Sequence, residues 1–147
     1  MRIVRTTDYK DMSRKAANVI SAQVIMKPDC VLGLATGTTP LGAYQQLAEW
    51  YRKGDVDFSR VSTYRGLRHS DPQSYHYFMH ENLFAHINID EANTHVPDGA
   101  NPDADAACRE YDRMVAEAGY PDLQLLGVGH NGHIGFNEPD DFFSKGT

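Results

Sequence analysis

Apolar positions along this chain switch repeatedly between helical and strand-like spacing. Between Asp8 and Met26, the residues Met12, Ala16, Val19, Ile20 and Val24 recur at the intervals of one helix face. Thr7 or Asp8 can cap that helix, and Pro28 ends it. Ahead of it, Ile3 and Val4 form a short apolar patch that predicts a first strand. Cys30-Val31-Leu32-Gly33-Leu34-Ala35 is a compact apolar run, as expected of a strand buried on both faces. A helix is predicted from Leu41 to Arg52, opened by Pro40 and closed near Gly54. Val61 to Tyr64 reads as a stub of strand. Ser74 to His86 reads as an aromatic-rich helix carrying Tyr75, Phe78, Met79 and Leu83. Asn101-Pro102 opens a further helix that runs to Ala118 and closes at Gly119, and Leu123 to Gly129 is a last buried strand.

Strands that alternate with helices imply parallel pairing, right-handed crossovers and a layered α/β architecture. Neither an internal repeat nor a low-complexity tract interrupts residues 1–147, so they read as a single domain. The last residues, Phe142 to Thr147, predict no element that would close the sheet. The expectation is an incomplete domain with an exposed edge or face, poor stability and a tendency to self-associate.

Composition narrows the function classes. Hydrophobic residues make up 41% of the chain, which fits a globular core. The net charge of -6 argues against a nucleic-acid backbone or an anionic membrane as the main partner, because either would favour a basic surface. It leaves room for a phosphorylated small molecule held by a local loop. The two cysteines, Cys30 and Cys108, form no Cys-x-x-Cys pair, and lone thiols fit a reducing compartment. The N-terminus lacks the pattern of a signal peptide, and no apolar run reaches membrane-spanning length, so the expected location is cytoplasmic.

Two segments carry candidate chemistry. The first is Thr36-Gly37-Thr38-Thr39-Pro40, between a predicted buried strand and a helix N-terminus. In open α/β sheets ligands bind beyond the carboxyl ends of strands, and free N–H groups at a helix start favour an anion. Gly37 allows close backbone approach, and the hydroxyls of Thr36, Thr38 and Thr39 can donate to phosphate oxygens. The loop is neither a Walker A motif nor a dinucleotide fingerprint, and a plain capped turn is the alternative.

The second segment is Gly129-His130-Asn131-Gly132-His133-Ile134-Gly135-Phe136-Asn137-Glu138-Pro139, after the last strand. His133 can shuttle protons near neutral pH. Glu138, five residues on, can orient the imidazole and stabilise its cation, and Asn131 is a second candidate orienting group. His130 and His133 lie three apart, but no third ligand stands in register, so the segment does not read as a metal site. A solvated glycine-rich loop is the bland alternative, and His130 fits it.

Gly127 to Pro139 resembles the signature of the glucosamine-6-phosphate deaminase (isomerase) family, and the resemblance covers essentially the whole chain. It includes Leu32 to Pro40, Gln73-Ser74-Tyr75, Phe78-Met79 and Asn82-Leu83-Phe84. The resemblance implies a three-layer α/β/α fold with a mostly parallel Rossmann-like sheet of the phosphosugar-isomerase type, truncated at the C-terminus. It implies conversion of glucosamine 6-phosphate and water to fructose 6-phosphate and ammonia, in amino-sugar catabolism. His133 would be the acid–base that opens the pyranose ring. Asn131 and Glu138 would flank it, with Glu138 tuning its proton affinity. Thr36, Gly37, Thr38 and Thr39 would bind the 6-phosphate, with Gly132 also at the substrate. No metal or organic cofactor is implied, and the family is often oligomeric, which makes a homo-oligomer an expectation.

Two departures qualify that picture. The family carries an Asn-Leu-Asp-Glu-Tyr type stretch after its third strand, whose aspartate moves a proton between C2 and C1. Here Val61-Ser62-Thr63 passes directly to Tyr64-Arg65-Gly66-Leu67, and Asp71 does not match the lost position. The family also continues well past Thr147 and supplies basic residues that clamp the phosphate. The expectation is a chain of deaminase ancestry that is weak or inactive alone. Competing readings are a 6-phosphogluconolactonase, which usually has a Ser-Leu-Phe-Pro type run after the histidine, a non-catalytic sugar-phosphate sensor, and a remnant with no role of its own.

Overall fold

The structure, a computed structural model, describes residues 3–64, 75–95, 101–135 and 137–142. Its elements are α1 (Tyr9–Met26), β1 (Val31–Gly33), α2 (Leu41–Lys53), β2 (Ser62–Tyr64), α3 (Tyr75–Asn82), 3-10 turns at Phe84–His86 and Glu91–Asn93, β3 (Thr94–His95), α4 (Ala104–Glu117) and β4 (Leu123–Gln124). The strands form one parallel sheet in the order β3-β2-β1-β4. The chain therefore moves outward from β1 to β3 and then returns past β1 to lay down β4 on its other side. Right-handed crossovers put α4 on the face opposite α2 and α3, which gives helix, sheet and helix layers. The point where the strand order reverses lies between β1 and β4.

Local chemistry explains where the helices begin and end. Asp8 caps α1 by accepting from the Asp11 N–H at 2.8 Å. Asp103 caps α4 by accepting from the Ala106 N–H at 2.9 Å, so that helix opens there and not at the expected Asn101-Pro102. Gly54 closes α2 in the left-handed region at φ 80°. Among the described residues nothing pairs with Ile3 and Val4, which are exposed in extended chain. The expected first strand is absent because two apolar residues cannot specify a pairing on their own. The strand β3 carries no apolar run and was not expected. Ser74, the junction from Arg65 to Leu67, Asp71, Phe136 and the last five residues lie outside the described residues.

The core sits on one face of the sheet. Cys30, Leu32 and Val61 meet Ala17, Ile20 and Val24 of α1, Ala43, Tyr44 and Leu47 of α2, and Met79, Leu83 and Phe84. The buried stripe of α1 is Ser13, Ala17, Ile20, Ser21 and Val24, whereas Val19 is exposed. Small residues are needed there because α2 comes close. A Cβ on Gly42 would lie 2.4 Å from Ser13 Oγ. Burial lifts the Cys30 thiol to about 11, which makes it a packing group and not a nucleophile.

One anchor sets β4 beside β1. The Asp122 N–H donates to the Val31 carbonyl at 2.8 Å, and Asp122 Oδ2 accepts from the Val31 N–H at 2.9 Å. Lys27 Nζ bonds both carboxylate oxygens, at 2.7 and 2.8 Å. Further along, the Leu125 N–H donates to the Gly33 carbonyl at 2.8 Å. Gln124 lies across Gly33, where a Cβ would come within 2.7 Å of its Cγ. The bond from Lys27, with the Val31 N–H, holds Asp122 below its ordinary 3.8, and Asp122 in turn raises Lys27. A depressed carboxylate stabilises the fold fully above its unfolded value and loses that contribution as pH falls through its folded value. Asp122→Asn is therefore expected to lower the melting temperature at neutral pH. The gap from the parent should close as pH drops below 3.8 and narrow in high salt, because Lys27 is half exposed. Melting curves from pH 2 to 8 check this, and a gap that persists at acid pH contradicts it.

Candidate functional site

Because β1 and β4 are neighbours and parallel, the loops after them leave the sheet at the same rim, on either side of the order reversal. Crevices of open α/β sheets form at that point. The loop after β1 contains Thr36 to Pro40, and the segment after β4 contains Gly127 to Pro139.

In the first loop Gly37 has φ 98°, a conformation in which any side chain would be strained. Gly37, Thr38 and Thr39 are exposed, and Thr36 is half-buried. Pro40 offers α2 no side-chain cap, and the Ala43 and Tyr44 N–H groups already bond the Pro40 carbonyl at 2.9 and 3.1 Å. Two tyrosines brace the loop. The Tyr44 hydroxyl donates to the Ala35 carbonyl at 2.5 Å, and the Tyr9 hydroxyl donates to the Thr38 carbonyl at 3.2 Å. Sequence reasoning missed Tyr9, since nothing local links it to a loop 29 residues away.

The second segment folds into two tight turns. The Gly129 N–H donates to the His133 carbonyl and the Gly132 N–H to the Gly129 carbonyl, both at 2.9 Å. Ile134 and Asn137 exchange backbone bonds at 3.0 and 2.9 Å. Gly132 has φ 91°, so its place in the turn requires glycine, and its N–H is spent within the turn. Gly129 is required for a different reason: a Cβ there would sit 2.2 Å from the imidazole Cε1 of His133. The ring thus lies flat against backbone. His130 is exposed.

His133, Asn131 and Glu138 form a polar chain. Glu138 Oε2 accepts from Asn131 Nδ2 at 2.5 Å, and Asn131 Oδ1 lies 2.7 Å from His133 Nδ1 and accepts from the His133 N–H at 3.2 Å. An ionised carboxylate only accepts, so it turns the amide nitrogen of Asn131 toward itself and the amide oxygen toward the ring. An amide oxygen also only accepts, so Nδ1 carries the proton and Nε2 of the neutral ring keeps its lone pair. Glu138 Oε1 is 3.9 Å from His133 Nδ1. His133 is 41% exposed and Glu138 68%, so this chain of bonds works against solvent screening. Among the described residues, no cluster of three or more metal-ligating side chains could hold an ion, and no helix is long and apolar enough to cross a membrane.

The threonine loop and the histidine turn thus stand at the order reversal of a parallel sheet, the arrangement of an α/β protein. More narrowly, the chain belongs to the family of glucosamine-6-phosphate isomerases and 6-phosphogluconolactonases, whose model matches residues 7–135. The glucosamine-6-phosphate deaminase of Lachnoclostridium phytofermentans is 60% identical over all of this chain and 64% of its own length. That of Halothermothrix orenii is 53% identical over 96% of this chain and 61% of its own. The solved structure of a monomeric glucosamine-6-phosphate deaminase superposes with a TM-score of 0.90 at 40% identity, covering 95% of this chain and 60% of that one. The 6-phosphogluconolactonase of Thermotoga maritima superposes at 0.72 with 26% identity, over 90% and 61%. The chain spans about 60 to 64% of the length of these curated relatives.

The arrangement around Gly129 is open to test. Gly129→Ala is expected to leave the melting temperature within a few degrees of the parent, because the site is at the surface, yet to displace the imidazole. The His133 ring proton resonances should shift. An unchanged His133 signal would contradict the close ring-to-backbone packing.

Proposed function

We propose that this chain carries the phosphate-binding and ring-opening part of a glucosamine-6-phosphate deaminase, which converts glucosamine 6-phosphate and water to fructose 6-phosphate and ammonia. The observation that carries the reading is the bonded series Glu138, Asn131 and His133 at the rim beyond β4, beside the threonine loop beyond β1. Thr36, Thr38 and Thr39 supply hydroxyls and N–H groups to the 6-phosphate, and Gly37 lets it approach the backbone. Gly132 shapes the turn that presents His133 to the sugar. Nε2 of His133 takes and returns the proton that moves when the pyranose ring opens. Asn131 fixes the tautomer, and Glu138 stabilises the imidazolium formed on the way. The substrate is a small amino-sugar phosphate. A cytoplasmic location suits that substrate.

Ring opening alone is not deamination. The aldose–ketose step needs a base at C2, and the residue that supplies it by family resemblance has no counterpart after Thr63. The alignment with the Lachnoclostridium relative runs over 152 positions against the 147 residues here, so at least five positions of that relative are unmatched. Loss of a general base costs about a hundred-fold or more in rate. Solvent exposure of His133 weakens the remaining electrostatics further. The chain should therefore bind substrate more readily than it turns it over. The run Phe136-Asn137-Glu138-Pro139, which stands where a lactonase usually has a Ser-Leu-Phe-Pro type run, favours this reading over a lactonase.

Two measurements test the proposal. Ammonia release from glucosamine 6-phosphate is expected to be far below about 1 per second, the low end of typical enzymes. Turnover in the ordinary enzymatic range would show that the missing base is supplied elsewhere. Ligand-dependent melting should be raised more by glucosamine 6-phosphate than by 6-phosphogluconate, and the shift should shrink in Thr38→Val and in His133→Ala. Equal shifts in parent and variants would remove the site.

A further inference from the structure

The hydroxyl of Tyr9 joins the first helix to the threonine loop at two backbone points. It accepts from the Gly42 N–H at 2.9 Å and donates to the Thr38 carbonyl at 3.2 Å. The start of α2 has no side-chain cap of its own at Pro40. Tyr9, 33 residues upstream of Gly42, therefore fills the place that a serine or aspartate side chain normally takes. Gly42 makes room for it, since a Cβ there would come within 3.0 Å of the Tyr9 ring at Cε1.

Peptide geometry gives this contact a directional consequence. Across a trans peptide the C=O and the following N–H point in opposite directions, and the described residues contain no cis peptide bond. With the Thr38 oxygen drawn toward Tyr9, the Thr39 N–H is turned away from α1. Tyr44 acts likewise three residues earlier: its bond to the Ala35 carbonyl turns the Thr36 N–H away from the core. A phosphate needs N–H donors and is repelled by carbonyl oxygens, so a loop that binds one must keep its carbonyls tied back. Gly42, whose N–H is occupied by Tyr9, leaves donation to the loop residues before it.

We propose that Tyr9 is a positioning residue for phosphate recognition, whose hydroxyl pins the Thr38–Thr39 peptide so that the Thr39 N–H is offered to the ligand. This inference rests on the reading of the threonine loop as the phosphate site. Tyr44 is fully buried and serves the core as well, but Tyr9 is 50% exposed, so its hydroxyl can be removed without emptying the interior. The ring stays in Tyr9→Phe, and only the two hydrogen bonds go.

The test compares the parent chain, Tyr9→Phe and Thr38→Val by calorimetric titration with glucosamine 6-phosphate, and by amide spectra of Thr39 with and without that ligand. In Tyr9→Phe the affinity is expected to fall about three- to ten-fold, the range of one or two lost hydrogen bonds. The ligand-induced shift of the Thr39 amide should shrink with it. A merely structural role would lower the melting temperature and leave the affinity and the Thr39 shift as in the parent. That outcome overturns the proposal for Tyr9 while Thr38→Val still weakens binding, and the phosphate-loop reading then survives. If the parent does not bind, or Thr38→Val binds as the parent does, the loop is not the phosphate site and both readings fall together.

Discussion

The rim depends on the way Asp122 ties β4 to β1. A two-residue strand has too few ladder bonds to choose its own register, and a slip by one would turn Leu123 and Leu125 to the opposite face. Asp122 settles the matter before the strand begins. Its backbone and its carboxylate both bond Val31, and Lys27 at the end of α1 holds the carboxylate from the other side. The Leu125 N–H then fixes the far end against Gly33. Everything downstream of β4, including His133, inherits its position from these contacts. The loop after β1 shares the same strand, so the two loops are held relative to one another by a short span of backbone.

Within each loop the organisation is local and polar. Glycines do the geometric work on the histidine side: one permits a left-handed turn, another lets the imidazole rest on the main chain. The amide of Asn131 then connects ring and carboxylate and gives each nitrogen of His133 a separate task. On the threonine side the bracing comes from outside the loop, through hydroxyls that hold carbonyl oxygens. Both devices serve the same end, which is to fix donors and acceptors before a ligand arrives and so reduce the reorganisation needed on binding.

Exposure limits what these devices can do. Hydrogen bonds and charges gain strength when water is excluded, and here the imidazole and its carboxylate face solvent. Leu126 and Val128, in the same segment, are exposed apolar residues with no cover among the described residues. More than a third of the length of these relatives lies outside the match to this chain.

Much of this protein can be read from its residues alone. Helix period, the Pro28 and Gly54 stops and the apolar run at Cys30 specify α1, β1 and α2, because these signals act over a few residues and need no partner. The histidine motif is equally local, and its hydrogen bonds link residues at most seven apart. What the sequence did not disclose depends on distant groups. Ile3 and Val4 look like a strand but meet no edge among the described residues, whereas Thr94 and His95 look like nothing yet pair with β2. Ser13 sits on the buried face of α1 where Gly42 approaches, and hydrophobicity gives no hint of it. Strand order, the Asp122 anchor and the reach of Tyr9 into the threonine loop are all long-range. The fold decided them, since burial and backbone pairing select partners in space without leaving a repeating pattern along the chain.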